Sequence, residues 1–194
     1  QSIMEKEFCD PNNMYGCNKL YCEKLGNYFS EYAEGSNYLD FRSIRFCGII
    51  SAHTLPQGGT SDYAPEMIHN AFQNKSYTCF VNKESCIPFM VMPDAVNAII
   101  QLMRTNKNKL NQTVYHIQSF CPTVQDIETK IKSIFPNFKL EYNINKKRQN
   151  LIDSWPSELN QSAAIKDWNW SAKYDFDSAF DHYLIPNIKK KYEK

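Results

Sequence analysis

"MYGCNKLYCEKLGNYFSEYAEGSNYLDFRSIRFCGIIS", residues 14–51, sets the reading of the whole chain. Its first part places Leu20, Leu25, Tyr28, Phe29 and Tyr32 close to the 3.6-residue period, which predicts a helix over 14–34. "GSN" at 35–37 breaks it. "YLDFRSIRFCGII", 38–50, alternates and then becomes continuously apolar, as a strand does when it ends buried. The same succession repeats downstream. "PEMIHNAFQN" (65–74), "PDAVNAIIQLMRT" (93–105) and "TVQDIETKIKSIF" (123–135) read as helices. Pro65, Pro93 and Asp94 stand in first turns, and Thr123 stands as a cap. "YTCFV" (77–81), "TVYHIQ" (113–118) and "KLEYNI" (139–144) read as strands. After "DSWP" at 153–156 the tail predicts short helical pieces that fray at "KKKYEK". Strand alternating with helix, without internal repeats, argues for an α/β fold.

The 194 residues suffice for one domain or one and a half with a real core. A net charge of +1 gives no electrostatic case for nucleic acid or a membrane surface as partner. No apolar run approaches the ~20 residues of a membrane span, and "QSIMEKEFCDPNN" does not read as a signal peptide. The seven cysteines are odd in number and form no CxxC, so neither a disulfide framework nor a zinc site is indicated. Cys47, Cys79, Cys86 and Cys121 sit among apolar residues and read as reduced, buried thiols of a reducing compartment, cytoplasmic or mitochondrial. His53, His69, His116 and His182 show no metal-ligand spacing, and no metal is expected. "NKKR" at 145–148 and "KKK" at 189–191 read as solvated faces, and Trp168 and Trp170 as packing.

The sharpest chemical signal is Tyr15 and Lys19, four residues apart and one turn up the same helical face. A phenol is a poor base at neutral pH, but a cation within ~4–6 Å stabilises its phenolate. Such a pair can move a proton on or off an alcohol, and the lysine keeps donors for a second task, such as holding ribose hydroxyls. Tyr-x-x-x-Lys also arises by chance in many helices, so the spacing alone leaves both readings open.

The surrounding residues add context. The Tyr-x-x-x-Lys helix followed by "RFCGIIS" (45–51) resembles the extended short-chain dehydrogenase/reductase, epimerase/dehydratase-like family. "LPQGGTSDYA" (55–64), "IPFMVMPDAVNAIIQLM" (87–103) and "RQNLIDSWPSELNQSAAIKDWNW" (148–170) resemble segments of its L-threonine 3-dehydrogenase branch. The resemblance implies NAD as cofactor, L-threonine as substrate, 2-amino-3-ketobutyrate as product and a homodimer with the Tyr/Lys helix at its interface. It implies that Tyr15 is the general acid/base and that Lys19 is its charge partner and ribose contact. Ile49 would lie at the nicotinamide end, Gly58, Gly59 and Thr60 on the substrate loop, and Trp155 against the substrate or its lid. The loop is physically plausible: two glycines let backbone N–H groups approach a carboxylate, and Thr60 adds a hydroxyl.

Cys47, Gln57 and Asn160 depart from that pattern, and the turn at "EGSNYLDF" is longer. The chain has six glycines and no glycine-rich phosphate turn. It therefore resembles the C-terminal part of such an enzyme. Residues 1–54 would form part of the dinucleotide-binding domain, and 55–194 mainly a smaller substrate domain with segments returning to the first. The chain alone is expected to be inactive. A sugar-nucleotide epimerase or dehydratase, with the same Tyr and Lys but a larger pocket, and a truncated non-catalytic product are the competing readings.

Overall fold

The computed structural model describes residues 2–7 and 9–193. Helix α1 spans Met14–Glu31 and starts where Asn13 Oδ1 accepts the Gly16 N–H at 2.8 Å, satisfying one of the free donors of the first turn. A short 3-10 turn at Gly35–Asn37 leads into strand β2 (Ser43–Phe46) and then β3 (Gly48–Ile50). The single strand expected over 38–50 is thus shorter and divided at Cys47. The reason is a change of partner: β2 runs parallel to β6 (Val114–Ile117), whereas β3 runs parallel to β5 (Phe89–Val91). At the switch the Gly48 N–H donates to the Pro88 carbonyl at 3.0 Å. A Cβ on Gly48 would stand 2.7 Å from the Phe89 ring, so only glycine permits this approach.

Two more parallel pairs complete the ladders. Strand β1 (Ser2–Ile3) lies beside β8 (Glu158–Leu159), and β4 (Tyr77–Cys79) beside β7 (Leu140–Tyr142). Parallel neighbours need crossovers, and helices supply them: α2 (Tyr63–Phe72), α3 (Met92–Arg104) and α4 (Val124–Ile134) lie between strands in chain order. Thr123 caps α4 as expected, in a reciprocal box with Asp126. The expected α/β succession holds.

Alternate residues of β5 feed two cores. Phe89 and Val91 join Tyr63, Met67, Ile68 and Phe180 on one side, and Met90 joins Leu102, Tyr115, Trp168 and Trp170 on the other. The two tryptophans pack as expected, with Trp168 edge-on to Tyr115 at 5.8 Å. Asp167 accepts from the Tyr115 hydroxyl at 2.8 Å and from Asn111 Nδ2 at 2.7 Å, so this buried carboxylate is fully engaged. Those hydrogen bonds outweigh its burial and hold its carboxyl below the usual range.

The tail forms the expected short helical pieces but does not fray where expected. Helix α5 covers Lys146–Asp153, and α6 spans Ser162–Trp168. A turn of helix α7 (Phe176–Ser178) and a π-helical stretch at Ala179–Leu184 run into α8 (Ile185–Tyr192). Residues 189–192 are helical rather than frayed because Tyr192 is anchored. Its ring stacks on Phe72 at 5.9 Å, and its hydroxyl lies 2.9 Å from His69 Nδ1. Of the four cysteines read as buried, Cys79 is buried and Cys47, Cys86 and Cys121 are half-buried; all seven are free thiols. Among the described residues no helix is long and apolar enough to cross a membrane, and no cluster of His, Cys, Asp and Glu could hold a metal ion.

Candidate functional site

Helix α1 and strand β2 enclose a cleft of about 540 Å³, lined by Tyr15, Lys19 and Glu23 from the helix and by Ile44, Arg45 and Phe46 from the strand. Tyr15 is 74% exposed at its mouth. Lys19 Nζ sits over the Tyr15 ring, 5.7 Å from the centroid, so the two side chains do share a face. Arg45 fixes the floor. Its Nη2 and Nε reach the Glu23 carboxylate at 2.6 and 2.8 Å, a two-pronged ion pair from β2 to α1, and its Nη1 donates to the Glu5 carbonyl at 2.8 Å. The carboxylate outweighs burial and raises the guanidinium above its ordinary range. A bidentate pair of this kind sets orientation as well as energy. The sequence shows Glu23 and Arg45 but not that they meet.

Beneath Arg45 lies His116. Its Nε2 stands 3.3 Å from Arg45 Nη1 and its Nδ1 stands 3.3 Å from the Ile3 carbonyl. The network assigns the proton to Nδ1, leaving Nε2 as acceptor. Burial holds this imidazole below its ordinary range, with the Arg45 charge adding to it against Glu5. Burial does the same to His69, helped by Lys191. Unfolded histidines take a proton near ~6.5, while these folded ones resist it. The unfolded state therefore binds more protons below that value, and stability rises with pH there. Stability present at pH 7.5 is thus lost as pH falls through about 6.5. We expect a fall of about 1–2 kcal/mol between pH 7.5 and 5.5 in urea unfolding, with a smaller slope for His116→Gln. An unchanged midpoint across that range would contradict the assignment.

The loop residues lie elsewhere. Gly58 has φ of +84°, which glycine adopts freely. The Gly59 and Gln57 N–H groups donate to Asp62 Oδ2 at 2.8 and 2.9 Å. The expectation that both glycines offer their backbone donors to an anion is corrected for Gly59, whose N–H Asp62 already takes. Gln57, a departure from the family pattern, fits the loop because only its N–H is used. Arg148 of α5 hydrogen-bonds the Gly58 carbonyl through Nη2 and stacks on Phe80, with Cζ 3.8 Å from the ring centroid. Read from sequence as part of a solvated run, Arg148 is instead the clamp of this loop. Thr60 is half-buried. Trp155 follows α5, is 37% exposed, and donates its N–H to the Ile152 carbonyl at 3.0 Å. Ile49, also 37% exposed, pairs with Met90 through β3. The structure therefore unites Tyr15 with Lys19 in one cleft. It ties the Gly58–Gly59 loop to the helix that precedes Trp155, and it places neither that group nor Ile49 in the lining of the Tyr15 cleft.

A nicotinamide dinucleotide can be tested against these residues. The cleft offers a phenol and an ammonium side by side, donors suited to a ribose and the ring attached to it. In the first turn of α1 the Gly16 N–H, one of the donors a pyrophosphate would use there, is already taken by Asn13. The described residues fit one end of such a cofactor.

Residues 1–117 match the NAD dependent epimerase/dehydratase family. An uncharacterized epimerase/dehydratase of Staphylococcus saprophyticus is 36% identical over 182 residues, covering 93% of this chain and 55% of that protein. A mitochondrial L-threonine 3-dehydrogenase of Bos taurus is 35% identical over 167 residues, covering 86% of this chain and 43% of the bovine one. The crystal structure of L-threonine dehydrogenase from Phytophthora infestans superposes with a TM-score of 0.83 at 36% identity, over 91% of this chain and 56% of that one. The chain spans about half the length of the curated relatives it matches.

Proposed function

The chain belongs to the NAD dependent epimerase/dehydratase family, and from that premise we propose that it carries the acid/base and substrate end of an NAD-dependent L-threonine 3-dehydrogenase. The observation that carries the reading is the Tyr15–Lys19 pair at the mouth of the α1–β2 cleft, in a chain 35% identical to a protein of that name.

Tyr15, as phenolate, takes the proton of the threonine hydroxyl while the β-carbon loses hydride, leaving 2-amino-3-ketobutyrate. NAD, when bound, supplies the hydride acceptor. Lys19 places a positive charge over the ring and keeps donors for ribose hydroxyls. The Arg45–Glu23 pair holds α1 against β2, so that Tyr15 keeps its position over the cleft. Ile49 on β3 serves the nicotinamide end. Gly58 and Gly59, shaped by Asp62 and Arg148, carry Thr60 as the hydroxyl donor to the substrate, and Trp155 covers it. Residues 1–54 belong to the dinucleotide-binding part and 55–194 mainly to the substrate part, with β6 and α6 packing back on the first. Two copies associate through α1, whose Tyr21, Leu25, Tyr28 and Tyr32 are exposed.

A substrate panel tests the reading. The chain is joined to a dinucleotide-binding half of the kind its relatives carry and followed by NADH absorbance. L-Threonine should be oxidised and nucleotide-sugars left untouched. Turnover of a nucleotide-sugar with none of threonine would move the assignment to the epimerases.

A further inference from the structure

Two thiols outside the candidate site lie sulfur to sulfur. Cys121 Sγ stands 3.3 Å from Cys86 Sγ and donates to it. Their backbones are already aligned. Cys86 opposes Thr123 and Phe89 opposes Phe120 in an antiparallel arrangement. The Phe89 N–H donates to the Phe120 carbonyl at 2.7 Å, and the Val124 N–H to the Ser85 carbonyl at 3.1 Å. A disulfide needs its sulfurs about 2.05 Å apart, so from 3.3 Å the two sulfurs must approach by about 1 Å. Both residues are half-buried, within reach of a small reagent.

We propose that Cys86 and Cys121 form a reversible dithiol/disulfide site, whose oxidant is a low-molecular-weight disulfide of the glutathione class. Cys86, the acceptor of the pair's hydrogen bond, attacks one sulfur of the reagent as thiolate. The reagent's S–S bond breaks and one thiol departs, leaving a mixed disulfide on Cys86. Cys121 then loses its proton and attacks the Cys86 sulfur, expelling the second thiol. Two protein thiols are oxidised and one reagent disulfide is reduced to two thiols, so the electrons balance. Burial and the neighbouring Cys86 sulfur hold the Cys121 thiol protonated, so Cys86 makes the first attack and Cys121 attacks only once the mixed disulfide has brought a reactive sulfur beside it.

The bond would close the loop that contains β5, α3 and β6. It would join the entry of β5 to the cap of α4 and restrict the unfolded chain. Oxidation should raise Tm by about 5–10 °C.

The test uses the full chain, incubated folded with oxidised or reduced glutathione, alkylated and mapped by mass spectrometry. A linked peptide joining Cys86 to Cys121, about 2 Da below the sum of its reduced parts, is the expected result. Thermal scans of the same samples should show the Tm rise, absent in Cys86→Ser and in Cys121→Ser. The wild-type map decides even if a variant misfolds. Recovery of both residues as alkylated thiols, at an oxidant concentration that glutathionylates the exposed Cys17 and Cys22, would overturn the proposal. So would linkage of either residue to a different cysteine.

Discussion

Tyr15→Phe, made in a version of the chain joined to a dinucleotide-binding half, is expected to lower threonine turnover by about 10²–10⁴-fold. NAD affinity should stay within about twofold. The substitution removes one oxygen from an exposed side chain at the cleft mouth. It keeps the ring over which Lys19 lies, 5.7 Å from Nζ to the centroid. The cation therefore stays in place, and no cavity is opened. What disappears is the only atom that can receive the substrate's proton in this reading. An interaction made only in the transition state lowers kcat and kcat/KM together, and that is the pattern to look for. The measurement is initial-rate NADH absorbance against threonine concentration, with NAD affinity from fluorescence quenching. Turnover close to the unsubstituted enzyme would remove Tyr15 from the acid/base role. A loss of NAD affinity as large as the loss of turnover would make it a binding residue instead.

The local rules of the chain were readable where the signal itself is local. Thr123 with Asp126 three residues on is a cap written in the sequence, and α4 starts there. Tyr15 and Lys19 needed only the helical period to be placed together. What the sequence hid depends on partners distant along the chain. The break at Cys47 follows from a strand that leaves β6 for β5, and no local propensity records such an exchange. Helix α5 has a mostly polar sequence and was masked by its charge run. It forms because Asn145 caps it, accepting the Lys147 and Arg148 N–H groups at 3.1 Å, and because Gln149 is buried against Asn82 and Ser85. The tail stays helical through one aromatic stack on Phe72. In the loop, Asp62 was in plain view three residues after Gly59. An aspartate at that offset commonly takes backbone N–H groups into its own turn, and that signal could have revealed that the Gly59 donor was already used.

Titrated with NAD, these 194 residues by themselves are expected to bind with Kd above about 1 mM, equivalent to less than ~4 kcal/mol of binding free energy. They should oxidise no threonine. Dinucleotide affinity in this fold class comes largely from a pyrophosphate seated on a helix N-terminus after a glycine-rich turn, and from an acidic residue on the adenosine ribose. Among the described residues the helix that opens the candidate cleft is α1, and its Gly16 N–H is committed to Asn13 at 2.8 Å. The cleft presents Lys19 and Tyr15 for one ribose and the ring attached to it. Two or three such contacts must first offset the lost translational and rotational freedom, several kcal/mol on any account. The acid/base pair can thus be well placed while the cofactor it serves is barely held. Isothermal titration of the purified chain reads this directly. Binding at micromolar concentration would mean that these residues build a full nucleotide site without a glycine-rich turn. The cleft between α1 and β2 would then have to hold far more of the cofactor than its nicotinamide end.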